Sequence, residues 1–353
     1  MISKKRILVA PLNWGLGHAT RCIPIIDALI SHDFEPIIAS DGNALELLKK
    51  EFPNLRFLEL PSYNITYSKK ANGFKLKLIK DSPHLLKTIK KEKKLIKAFI
   101  TTEKISGIIS DNRFGVRHKS LPSVFITHQL RVLSGNTTWF SSKLHQEIIK
   151  KFDECWVPDY NGHPNLSGEL GHINDTIKSL KYIGPLSRFQ KQDLPIKFDL
   201  LVILSGPEPQ RTLLQDKLLR DLSLFSGEVC FIKGILERDQ LISKEKNLTI
   251  YNFMTSGQLE ETINSSTLIL SRSGYTSIMD YAKLEKKAFL IPTPGQFEQE
   301  YLAKKLKSEC IAPSANQDKF KIGMLNDIIA YSGFKNHPVD TNYQSLFSLF
   351  QGK

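Results

Sequence analysis

The chain is poor in residues that could cross-link it. Its 353 residues include only four cysteines, Cys22, Cys155, Cys230 and Cys310, far apart and without a CxxC pair. That spacing excludes a disulfide framework or a Cys/His metal cluster and suits free thiols in a reducing compartment. No apolar run approaches the roughly 20 residues that span a bilayer. The N-terminus, "MISKKRILVAPLNW", has a short apolar stretch and no small-residue cleavage pattern, so no signal peptide is expected. These absences point to a cytoplasmic protein. Acidic charge is also short. Against 49 Lys and Arg stand 36 Asp and Glu, a net charge of +13, which favours polyanionic partners.

Part of that excess is local. Residues 69–104 hold lysines at 69, 70, 75, 77, 80, 87, 90, 91, 93, 94, 97 and 104 against Asp81, Glu92 and Glu103. Leu85, Leu86, Ile89, Leu95, Ile96 and Phe99 interleave with them. The pattern predicts one or two amphipathic helices with a basic face. A solvated lysine face explains it; an anionic membrane surface is the functional alternative. Nucleic acid is disfavoured, because arginine and aromatic interleaving are sparse.

Short apolar runs alternate with helix-like stretches. Strands are expected at 6–10, 35–39, 56–60, 107–110, 123–127, 155–157 and 181–183, then at 199–205, 228–233, 248–251, 267–271 and 287–291. Helical patterns fall at 19–30, 44–52, 143–152, 212–223, 257–264, 276–284 and 298–307. The fold class is therefore α/β, with two Rossmann-like doubly wound domains facing a central cleft. The domains are expected at 1–185 and 199–330, joined by a linker at 186–198. Residues 331–353 form a tail, expected to be helical and docked through Phe334, Leu346, Phe347, Leu349 and Phe350. In such sheets ligands bind at the carboxyl ends of strands.

The loops at those ends carry the chemistry. The first, "NWGLGH", puts Asn13, Gly15, Gly17 and His18 between a strand and a helix. Glycines let a backbone approach a ligand, and a helix start offers N–H groups to an anion. A dinucleotide fingerprint needs a third glycine, but position 20 is Thr20. His18 either faces the cleft or serves as a packing or capping residue. Asp111 ends the strand 107–110, and His128 follows 123–127; each suits a ligand site or a structural turn. In the second half, "SGPEPQRT" places Gly206 and Arg211 after a strand. "LSRSGYTSIMD" then opens a helix with Arg272, Ser273, Gly274 and Tyr275, followed by Asp280.

The stretch "SRSGYTSIMDYA…KKAFLIPTPGQFEQEYLA" resembles the donor-binding segment of nucleotide-sugar glycosyltransferases of the GT-B fold. Its closest likeness is to family 28, which includes the lipid-linked N-acetylglucosaminyltransferase of peptidoglycan synthesis. The resemblance implies that Asp280, where relatives usually carry glutamate, holds the ribose hydroxyls. It places the family's glutamine pair, which helps bind the donor sugar, on Gln299 and Glu300; only the first is a glutamine. "SGPEPQR" resembles the family's glycine-serine turn, with Pro207 and Pro209 departing from it. The N-terminal loop resembles the glycine-rich turn ending in histidine, near the acceptor and the donor phosphates.

The resemblance implies transfer of a hexosyl group from a nucleotide-diphosphate sugar, expected to be UDP-linked, to an acceptor hydroxyl. No metal and no separate cofactor are expected, in keeping with the lack of an Asp-x-Asp motif. His18 is the first candidate for the base and Asp111 the second. The acceptor is expected to be a sugar or a lipid-linked sugar, with the chain peripheral on the inner face of the plasma membrane. A nucleotide-sugar epimerase of the same fold and a non-catalytic binder of nucleotide sugar or nucleic acid are the alternatives.

Overall fold

The computed structural model describes residues 4–63, 74–173, 177, 179–337 and 341–352. The chain divides into two compact units. One runs to Leu186 and regains the chain's C-terminal residues; the other spans Ser187–His337.

The first unit holds a seven-stranded parallel sheet. Its strands are β1 (Lys5–Pro11), β2 (Phe34–Ser40), β3 (Arg56–Glu59), β4 (Ile105–Asp111), β5 (Ser123–Ile126), β6 (Glu154–Val157) and β7 (Leu180–Tyr182), in the order β3-β2-β1-β4-β5-β6-β7. Helices α1 (Gly17–Ser31), α2 (Gly42–Glu51), α3 (Phe74–Glu103) and α4 (Thr138–Ile149) connect them. Ile7, Leu8, Val9 and Ala10 of β1 are all fully buried. A central strand covered on both faces needs such a continuous apolar run rather than alternation. The strand order reverses between β1 and β4. Register pairs Ala10 with Ser110 and Pro11 with Asp111, so both strands end level at that switch point.

The second unit holds β8 (Phe198–Ile203), β9 (Val229–Ile232), β10 (Ile242–Glu245), β11 (Leu248–Tyr251), β12 (Ser266–Ser271) and β13 (Lys287–Leu290). Their order is β10-β11-β9-β8-β12-β13, all parallel except the β10–β11 pair. Helices α5 (Gln210–Asp221), α6 (Ser256–Asn264), α7 (Tyr275–Leu284) and α8 (Phe297–Ser308) belong to it. Leu200, Val202, Phe231, Leu270, Phe289 and Phe320 centre its core. Here the switch point lies between β8 and β12.

Two expectations need correction. Residues 187–198 are no free linker: Phe189 is buried, Gln192 N–H donates to Asn264 Oδ1 at 3.1 Å, and Ser187 Oγ donates to Asp280 Oδ1 at 2.6 Å. The tail is split. Phe334 packs against Tyr281 in the second unit, at 5.9 Å between ring centroids, whereas helix α9 (Tyr343–Phe347) buries Leu346 and Phe347 in the first. Phe350 joins them there; a Cβ on Gly107 would lie 2.2 Å from its ring, so β4 needs glycine at that point. Of the basic segment, 74–103 is one helix, while 69–73 lies outside the described residues.

Candidate functional site

The start of α1, the end of β4 and the loop after β5 bring four polar side chains together in the first unit, His18, Arg21, Asp111 and His128. Leu12 N–H donates to Asp111 O at 2.9 Å, tying the loop after β1 to the end of β4. Gly15, at φ 74°, turns that loop into α1. This left-handed position, which disfavours side chains, is Gly15 and not Gly17. His18 occupies the first turn of α1, and its Nδ1 lies 2.7 Å from Asp111 Oδ1. Three residues on, one turn along the same helix face, Arg21 lays its guanidinium against both oxygens of Asp111 through Nε and Nη2. Its Nη1 donates to His128 Nδ1 at 3.0 Å. Cys22 adds an S–H contact to Asp111 Oδ2 at 3.7 Å.

Asp111 and Arg21 are buried. Burial alone would raise the Asp111 pKa, but Arg21 and His18 outweigh it and hold the carboxyl well below the usual range. Asp111 is therefore an acceptor only; it lies nearer to His18 Nδ1 than Arg21 Nη2 does, at 2.7 against 2.8 Å, and the tautomer with its proton on Nδ1 donates to it. That tautomer leaves the lone pair on His18 Nε2. Burial, then the Arg21 charge, lowers the His18 pKa from 6.5 against the opposing pull of Asp111, so the ring is neutral at pH 7. A neutral imidazole held by a buried carboxylate is a competent proton acceptor. The expectation of Asp111 as an alternative base fails on the same geometry. Its carboxylate is saturated by Arg21 and His18 and too weakly basic to take a proton.

In the second unit, Gly206 follows β8 at φ 99°, and a Cβ there would meet Thr293 Oγ1 at 3.7 Å. Gly274 precedes α7 with no side-chain cap. Both flank the switch point between β8 and β12. Several residues expected at a donor site are committed elsewhere. Arg272 is buried, with Nη1 donating to Ile291 O at 3.3 Å and Pro292 O at 3.2 Å, and Nη2 to Gln210 O at 2.8 Å and Gln317 Oε1 at 2.7 Å. Burial pulls its pKa down to about 10. Through Nη1 and Nη2 it braces the loops after β12 and β13, while its buried Nε has no hydrogen-bond partner. Ser273 Oγ donates to Gln299 O at 2.8 Å. Arg211 pairs with Glu208 and donates to Lys233 O at 3.0 Å.

Gln299 and Glu300, in the first turn of α8, shape the preceding turn. Gln299 Oε1 accepts from Thr293 N–H at 2.8 Å, and Glu300 Oε1 from Gly295 N–H at 2.8 Å. The Gln299 amide is thereby oriented with Nε2 4.0 Å from the Cβ position of Gly274. Tyr275 is buried at the start of α7. Asp280, one turn further, accepts from Ser187, and burial raises its pKa to about 6 against the pull of Arg188 and Ser187.

Residues 233–333 match the glycosyltransferase family 28 C-terminal domain. An uncharacterized glycosyltransferase of Methanosarcina mazei is 25% identical over 334 residues, which cover 86% of this chain and 84% of that protein. The fold is shared with MurG of Acinetobacter baumannii, at TM-score 0.56, 12% identity and 99% coverage of both chains. It is also shared with LpCGTa, solved in complex with UDP, at TM-score 0.62 and 12% identity, covering 99% of this chain and 100% of that one. This chain is a glycosyltransferase of the GT-B fold whose residues 233–333 resemble the family 28 C-terminal domain.

In this glycosyltransferase the expected residues fall into three groups. His18, Asp111 and His128 are gathered around one guanidinium, which the sequence reading missed although His18-x-x-Arg21 is a same-face helical spacing. Gly206, Gly274, Asp280 and Gln299 lie around the ends of β8, β12 and β13 or on the helices that follow. Arg211, Arg272, Ser273 and Glu300 serve the scaffold. Asn13 belongs with a separate buried network, described below. Among the described residues, no group of three His, Cys, Asp or Glu side chains could hold a metal ion.

Proposed function

We propose that this glycosyltransferase moves a hexosyl group from a UDP-linked sugar to an acceptor hydroxyl, with His18 as the base and no metal ion or separate cofactor. The observation that carries the reading is the His18–Asp111 contact at 2.7 Å, with Arg21 on the same carboxylate. His18 Nε2 takes the acceptor proton as the hydroxyl oxygen attacks the anomeric carbon. Asp111 holds the ring and stabilises the imidazolium that forms. The nucleoside diphosphate leaves with its charge met by the N-terminus of α7 and the glycine turn at Gly206. The UDP bound by LpCGTa supports the choice of nucleotide.

A panel of nucleotides and nucleotide sugars tests the donor by thermal shift. A ligand at 100 times its Kd adds about 2.7 kcal/mol to the folded state, enough to move Tm by degrees. UDP and UDP-hexoses are expected to raise Tm; no shift with any member of the panel removes the reading. An epimer formed from a UDP-sugar without acceptor would replace transfer by epimerisation.

We infer further that the acceptor is lipid-linked and that the chain works peripherally on the inner face of the plasma membrane. Lys87, Lys90, Lys91, Lys93, Lys94 and Lys97 of α3 are exposed, and its buried side carries Glu92 and Ile96. On the same unit α4 exposes Trp139 (73%), Phe140 (65%) and Leu144 (56%), with Lys143 Nζ 5.4 Å from the Trp139 ring. Such a mixture fits an anionic lipid surface, where each lysine contributes about 1 kcal/mol. Among the described residues, no helix is long and apolar enough to cross a membrane. Trp156 is buried, so Trp139 is the most exposed of the three tryptophans. Vesicles containing phosphatidylglycerol should shift its emission to the blue and co-sediment the protein, both effects weakening with salt. No binding at low salt points to a soluble acceptor.

A further inference from the structure

A second buried charge network lies beside the His18–Asp111 pair and is no part of it. Arg113 is fully buried two residues beyond Asp111. Its Nε donates to Glu92 Oε1 of α3 at 2.8 Å, its Nη1 to Asp41 Oδ1 at 2.6 Å, and its Nη2 to Pro61 O at 2.7 Å. Tyr63 Oη and Gly115 N–H donate to the other oxygen of Glu92, at 2.6 and 3.1 Å. Asp41, at the end of β2, then accepts from Asn13 Nδ2 at 3.2 Å through its second oxygen. Asn13 Oδ1 accepts from Ala44 N–H at 3.3 Å.

Asn13 sits in the loop that carries Gly15 and His18. Close packing fixes both ends of the network: a Cβ on Gly42 would come within 2.4 Å of Asn13 Nδ2, and one on Gly115 within 2.5 Å of Glu92 Oε2. At its other end, Arg113 closes the turn that presents Asp111. Ser110 Oγ donates to Arg113 O at 2.7 Å, and Asn112 between them takes the left-handed φ of 57°. One guanidinium thus ties the turn after β4 to the loop after β1, by way of the end of β2. Those are the two segments that set the separation of His18 and Asp111.

We propose that Arg113 is a positioning residue for transfer, fixing the His18–Asp111 contact by bracing these two loops through Asp41 and Asn13. The inference rests on the reading of His18 as the base. Misplacing a catalytic group by about 1 Å can cost on the order of 10²-fold in rate. A partial loosening should cost less.

The test uses Arg113→Lys, which keeps the buried positive charge but cannot reach Glu92, Asp41 and Pro61 together. Asn13→Ser is the second variant, cutting the last link to Asp41 while every charged residue of the network is kept. Both are compared with the wild type by circular dichroism, by transfer kinetics and by NMR titration of the His18 ring. In folded variants kcat should fall about tenfold, the donor KM should change less than twofold, and the His18 titration should move up toward 6.5. If His18→Ala leaves turnover intact, the reading of His18 fails. If His18→Ala abolishes turnover while folded Arg113→Lys and Asn13→Ser keep the wild-type kcat and His18 titration, the positioning role fails. Should Arg113→Lys not fold, Asn13→Ser decides by the same readouts.

Discussion

His18→Ala is expected to lower transfer by about 10²–10⁴, the usual contribution of a positioned base, while UDP binding stays within twofold. The imidazole lies in the first unit, and the nucleotide is assigned to the ends of β8 and β12 in the second. Stability should change little, because the carboxylate that His18 touches is also gripped at both oxygens by Arg21. Asp111→Asn should be as damaging to turnover for a different reason. An amide can present its N–H₂ group to His18 Nδ1 and favour the tautomer whose proton sits on Nε2, where the acceptor proton has to go. It also leaves Arg21 facing a neutral group in a buried site, so this variant should lose stability as well, by a few kcal/mol.

The pH profile follows from the same contact. His18 works as a base only when neutral, and burial beside Arg21 lowers its pKa from 6.5. kcat/KM should therefore rise with pH through a midpoint below 6.5 and then level off. A rise centred well above 6.5, or near-normal turnover by His18→Ala with the true acceptor, would remove His18 as the base. Asp111 could not then replace it, since its carboxylate stays ionised far below neutral pH. The base would have to be sought elsewhere, His128 being the nearest titratable ring.

The strand series was legible in the sequence because the central strands of both sheets pair in parallel and are covered on both faces. Their strands read as unbroken apolar runs such as "ILVA" and "LLVI". The strand that escaped is β10, "ISKE", an edge strand with all four residues exposed and no apolar run to mark it. At the site, residue types at strand ends were legible, and partnerships were not. Arg272 reads as a phosphate ligand because it precedes a helix start, yet its guanidinium turns inward onto the carbonyls of Ile291, Pro292 and Gln210 and the Gln317 side chain. Asp111 and His18 read as competing bases until register sets Pro11 level with Asp111 and makes them partners. The network of Arg113, Glu92 and Asp41 is invisible in a linear reading. Its charges come from 72 residues of separation at the widest hydrogen bond and carry no spacing rule.

Asp280→Asn should weaken UDP binding roughly ten- to hundredfold, the value of a charge-assisted hydrogen bond of about 1.5–3 kcal/mol. The hypothesis is that its carboxylate accepts from the ribose hydroxyls, as the family resemblance implies. Ser187 donates to Oδ1, and the Arg188 charge acts on the same carboxylate. Burial raises the Asp280 pKa to about 6, so wild-type affinity should itself decline as pH falls through 6, and the asparagine variant should show no such limb. The effect on stability has the opposite sign. A carboxyl whose folded pKa exceeds the unfolded value of about 3.9 stabilises the fold below that value. The contribution is lost as pH rises through about 6. Above pH 6 the native protein carries a buried charge at a cost, so Asp280→Asn should not lower Tm at pH 8. Isothermal titration with UDP at pH 5 and pH 8, alongside thermal melts, checks both halves. Unchanged UDP affinity at pH 8 would take Asp280 out of the donor site and leave it as the partner that fastens Ser187, and with it the chain entering the second unit, onto α7.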